Sequence, residues 1–70
     1  MNANEWISAY AERLGGEPPT PEELKVILEL AAVAAHASER LAAPAACWIS
    51  ARAGLSLEES LELARGIGEE

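Results

Sequence analysis

Between Pro21 and Glu39 the polar side chains gather on a single stripe. Arranged at about 100° per residue, Lys25, Glu29, His36, Glu39 and Arg40 share that stripe. Almost everything else beyond the first turn is apolar: Leu24, Val26, Ile27, Leu28, Leu30, Ala31, Val33, Ala34, Ala35 and Ala37. A surface helix of a globular protein shows an apolar band of roughly 100° or slightly more. Here the band exceeds half the circumference. Such a helix is either enclosed by its own neighbours or faces a partner.

The rest of the chain is poorly supplied to enclose it. Its 70 residues make one domain, 1–70, and a chain this short buries only about 60% of its unfolded surface. Fifteen alanines stand against nine leucines, four isoleucines and two valines, with no phenylalanine. Small domains supplement such a core with disulfides, metal or oligomerisation. One cysteine excludes an internal disulfide, and one cysteine with one histidine cannot furnish a four-ligand zinc site. No metal and no cofactor is expected. Oligomerisation remains, and a homodimer or a protein partner is the expectation.

Twelve acidic against five basic residues leave a net charge of −7. That field repels phosphate backbones and anionic lipid, so neither nucleic acid nor membrane is an expected partner. No apolar run reaches the roughly 18 residues of a membrane span. The opening MNANEW lacks the basic start and apolar stretch of a signal peptide. With a lone thiol, this reads as cytoplasmic.

Start and stop signals divide the chain into four helices. The first, about 3–14, repeats Trp6, Ile7, Tyr10, Ala11 and Leu14 at helical spacing, with Asn2 or Asn4 as cap and Gly15-Gly16 as terminator. A stiff Pro18-Pro19 connector follows. The second, about 21–39, opens on the box Thr20-Pro21-Glu22-Glu23. The third, about 44–53, is expected to begin at Pro44. The fourth, about 57–67, opens on Ser56-Leu57-Glu58-Glu59 and carries Leu57, Leu61, Ala64 and Ile67 on one side, with Leu63 at the edge. The expected fold is all-α, a compact bundle of four short helices.

Two readings are open at His36 and Arg40. Four apart on a helix, they would be surface neighbours and could bind a carboxylate or phosphate through a planar guanidinium fork and an imidazole. Equally, positive charge near a helix C-terminus offsets the dipole and satisfies free carbonyls; this second reading weighs more. Cys47, expected near the first turn of the third helix, is a thiol nucleophile only if His36 can act as its base. A small buried hydrophobe explains it more simply. Glu22-Glu23 and Glu58-Glu59 sit where acids favour helix starts. Trp6 and Tyr10 form an i, i+4 pair suited to core or interface.

The segments Glu5-Trp6-Ile7, Ala35-His36 with Arg40, and Ala42-Ala43-Pro44 together resemble a known family. It is a small helical domain of unknown function, found mainly in actinobacteria. It occurs alone or fused to proteins of molybdopterin-guanine dinucleotide biosynthesis. Members often carry Arg-Pro where this chain has Arg40-Leu41, and Leu-Thr where it has Ala45-Ala46. The resemblance implies a link to molybdenum-cofactor maturation and groups His36, Arg40 and Pro44 as one unit.

The combined expectation is a non-enzymatic accessory or interaction module with no catalytic residues. It docks through the apolar surface of helix two, by Val26, Leu30, Val33 and Ala37, with Trp6 and Trp48 nearby. The alternative is a small-ligand or anion-binding domain centred on His36 and Arg40.

Overall fold

A computed structural model describes residues 1–67. It contains four helices, α1 Ala3–Leu14, α2 Pro21–Ala37, α3 Ala42–Ala53 and α4 Leu57–Arg65, and no strand among the described residues.

Three of the four helices start on a reciprocal capping box. The Asn2 side chain accepts from the Glu5 N–H at 2.8 Å, and the Glu5 carboxylate accepts from the Asn2 N–H at 2.8 Å. Thr20 with Glu23 and Ser56 with Glu59 repeat the exchange. Each box satisfies two N–H groups that helical geometry leaves without partners. At the far end of α1, Gly15 adopts φ 78°, and the Gly15 and Gly16 N–H groups donate to Glu12 and Ala11 carbonyls. This is a Schellman closure, and it favours glycine at the left-handed position.

The expected bounds shift at three helix ends. Helix α2 stops at Ala37 rather than Glu39. The Ser38 hydroxyl donates back to the Ala34 carbonyl at 3.0 Å, and Ser38 leaves helical geometry. The Ser38 N–H donates to the same carbonyl at 3.2 Å, so Ala34 accepts both donors where the helix ends. Helix α3 begins at Ala42, two residues before Pro44. The Ala42 and Ala43 N–H groups donate to Glu39 and Arg40 carbonyls in a tight turn. Pro44 then sits third in the helix, still within the turn whose N–H groups lack helical acceptors, so its missing donor costs nothing. Helix α4 stops at Arg65 rather than Ile67, because Gly66 holds it only weakly.

Helix α2 is the hub, with α3 and α4 both packed on it. Leu30 is 2% exposed and Leu61 8%, and they are the buried apolar side chains among the described residues. Leu30 borders the space beneath α3, with Cys47 and Leu57, and also the space beneath α4, with Ser60 and Ala64. Ala31, Ala34 and Ala35 are half-buried, and small side chains on that flank let α3 approach closely. One ion pair, Arg65 to Glu29 at 3.3 Å, ties the end of α4 to α2. Both side chains are substantially exposed, so it contributes less than about 1 kcal/mol.

Helix α1 is held apart from this trio. It has no buried residue, and it leans on the first half of α2 through Ile7, Pro18, Leu24 and Leu28, which border an open space of about 430 Å³. The molecule is drawn out to 40 × 24 × 19 Å, with a radius of gyration of 12.8 Å. About 11 Å is usual for a chain of this length.

Leu30→Ala removes the residue on which three helices meet. The expected loss is about 2–5 kcal/mol, which matches the whole stability of a domain this size; circular dichroism should show no cooperative melting. Ser60 is buried, and its hydroxyl has no hydrogen-bond partner. Ser60→Ala should therefore stabilise by about 1 kcal/mol, raising Tm by roughly 4–8 °C in calorimetry.

Candidate functional site

An apolar groove runs between α3 and α4 with α2 as its floor. Val33, Ala34 and Ala37 form the floor at one end, where the groove encloses about 560 Å³. Ala42, Ala45, Ala46 and Ile49 make the α3 wall, and Ala64 and Ile67 the opposite one. Toward Leu30 the groove continues into a space of about 270 Å³ that shares Ala46, Ile49, Ala64 and Ile67 and adds Leu63. Ser38 is the polar residue of the wider end. Ile49 is 59% exposed, Leu63 63% and Ile67 70%, far more than side chains of that size show in a finished core.

The groove exists because two helices share one apolar face. Helix α4 carries one i, i+4 apolar pair, Leu57 with Leu61, and Leu63 with Ile67, two residues past the helix end, repeats the spacing. Leu61 and Leu63 are two residues apart, about 200° around the helix, so the two pairs point in different directions. The first pair packs toward α2, and the second is left on the groove wall. On α3, Ala43, Ala46, Cys47 and Ser50 are half-buried, whereas Ile49 projects beside them toward α4. The alanines of α3 are too short to reach across.

The expected docking residues divide. Leu30 is corrected: at 2% exposure it is the centre of the core and cannot meet a partner. Val26 and Val33 are half-buried, and Ala37 is exposed at the groove floor. Trp6 stacks on Tyr10, with ring centroids 5.1 Å apart, on an exposed side of α1. Trp48 lies outside the groove, 62% exposed, with the Arg52 guanidinium 4.8 Å from its ring centre. Ile49, Leu63 and Ile67 were not among the expected docking residues. The double i, i+4 pattern from Leu57 to Ile67 is the signal that would have marked two of them.

His36 lies in the last turn of α2, exposed, and Arg40 lies in the turn beyond the helix. Their expected adjacency depended on a helix running through position 39, and the chain leaves that register at Ser38. Among the described residues, neither side chain has a hydrogen bond or ion pair. Cys47 falls sixth in α3, beyond the first turn whose N–H groups stabilise a thiolate, and is half-buried against Ile27 and Leu57.

Residues 1–67 match the family described as a domain of unknown function, DUF6457. The chain belongs to the DUF6457 family. No curated protein and no solved structure matches it. The match takes in every described helix of this DUF6457 domain, α1 included, so the helix that stands apart is part of the family's own unit. No described helix is long and apolar enough to cross a membrane.

Adding phosphate to the 15N-labelled DUF6457 domain should leave the His36 imidazole signals in place at constant pH. A saturable shift of His36 would instead establish an anion site there.

Proposed function

We propose that this DUF6457 domain is a non-enzymatic interaction module of the cytoplasm that docks through its apolar groove, first of all to form a homodimer. The observation that carries the proposal is surface area. The chain exposes 5636 Å², whereas a compact monomer of 7.4 kDa exposes about 4200 Å². The excess, about 1400 Å², measures a molecule too open for its size, and Ile49, Leu63 and Ile67 place exposed apolar surface at the groove. Contiguous apolar patches of this kind on a small protein mark interaction surfaces.

The sequence resemblance supports a role beside molybdenum-cofactor biosynthesis, as an accessory to the enzymes of that pathway. A protein of molybdopterin-guanine dinucleotide biosynthesis is accordingly the partner to try first. The alternative of an anion site at His36 and Arg40 gains no support from their placement.

Sedimentation equilibrium at micromolar concentration tests the proposal, on the domain alone and mixed with such a biosynthesis protein. The domain alone should show about twice its 7.4 kDa mass. Ile49→Asp with Leu63→Asp should return it to the monomer without loss of helix content, since both side chains are already exposed. A 7.4 kDa species in both experiments would overturn the docking reading. Salt supplies a second check. Two copies of charge −7 repel, so raising ionic strength screens the repulsion and should tighten the dimer, where charge-paired interfaces loosen.

A further inference from the structure

We propose that the groove of one copy is filled by α1 of a second copy, the two chains exchanging first helices about a twofold axis. This rests on the docking reading above and names the occupant.

Helix α1 is well made but unpartnered. It is capped at both ends, and its Trp6, Tyr10 and Leu14 form an i, i+4, i+8 ridge, exposed by 55%, 52% and 68%. At 1.5 Å per residue that ridge is about 12 Å long. The chain has three aromatic residues, two of them on this ridge. The groove is the complement: no aromatic lines it, and its walls are largely alanine. A ridge of large side chains laid between two splayed helices with small side chains is how helices pack.

The helix cannot enter its own groove. It leans on α2 at Leu24 and Leu28, and the groove floor is at Val33 and Ala37. Those two sets lie about 180° apart around α2, on opposite sides of the helix. The connector between α1 and α2 is six residues, Gly15 to Thr20, with Pro18 and Pro19 held extended. It sets α1 on the wrong side of α2 for its own chain and presents it to another. Reciprocal exchange is isologous and closes at two copies, and each copy contributes both a ridge and a groove.

Photo-crosslinking tests the exchange in the full chain. p-Benzoylphenylalanine replaces Tyr10, and 14N- and 15N-labelled chains are mixed before irradiation. The expected products join position 10 of one isotope to residues 42–67 of the other. In parallel, Trp6→Ala with Tyr10→Ala should raise the dimer Kd by roughly thirtyfold or more, the effect of truncating aromatic anchors, with helix content retained. Trp48→Ala should leave it unchanged. A dimer that survives loss of Trp6 and Tyr10, or that yields adducts only within one chain, overturns the exchange and leaves the docking reading standing. A monomer that still binds the biosynthesis protein through Ile49 and Leu63 does the same.

Discussion

Leu30 is the one large side chain enclosed from both sides, beneath α3 and beneath α4. Its burial holds α2 as the hub. A Leu side chain removed from water contributes about 1.5–3 kcal/mol, a large share of what a chain of this size can accumulate. Around it the supply fails quickly. Alanines bring the backbones close but fill little volume, and the next large residues outward, Ile49, Leu63 and Ile67, stay exposed. The apolar groove is thus the direct consequence of a core that runs out of large side chains one layer from its centre.

The division between α1 and the other helices follows from the same shortage. The bulkiest apolar group of the chain, Trp6 stacked on Tyr10, is on the helix that packs least. A helix of 12 residues is marginal in water without packing, and the large face of α1 finds nothing of matching shape within the chain. Volume missing from the groove and volume unspent on α1 are complementary, and exchange between copies unites them. The acidic surface limits the consequence: repulsion between like-charged copies keeps self-association from spreading beyond the matched faces.

Much of the architecture was readable from residues alone. The bounds of α1 and the starts of α2 and α4 follow from Asn2, Thr20 and Ser56, each with a glutamate three residues on. These signals are local, because the hydrogen bonds they describe close within one turn. The overwide apolar band on α2 correctly marked a helix with more to cover than an ordinary surface helix. Misreadings came where local preference met competition. Pro44 reads as a first helical residue, but the preceding turn satisfies two more N–H groups and extends the helix backwards to Ala42. Arg40 reads as a neighbour of His36 because nothing between them looks like a stop, yet the helix ends at Ala37 without glycine or proline, and Ser38 leaves helical geometry.

What the sequence by itself determined is the set of elements: four helices, their caps, one lone thiol, a net charge of −7 and too little apolar volume for a closed core. Periodicity and capping suffice for that, since both act over a few residues. Which side of each helix is enclosed was decided only by the tertiary structure. An apolar band wider than one neighbour can cover has no preferred centre in the sequence. The angle at which α3 and α4 cross α2 picked Leu30 for the interior, and left Ile49, Leu63 and Ile67 facing outward.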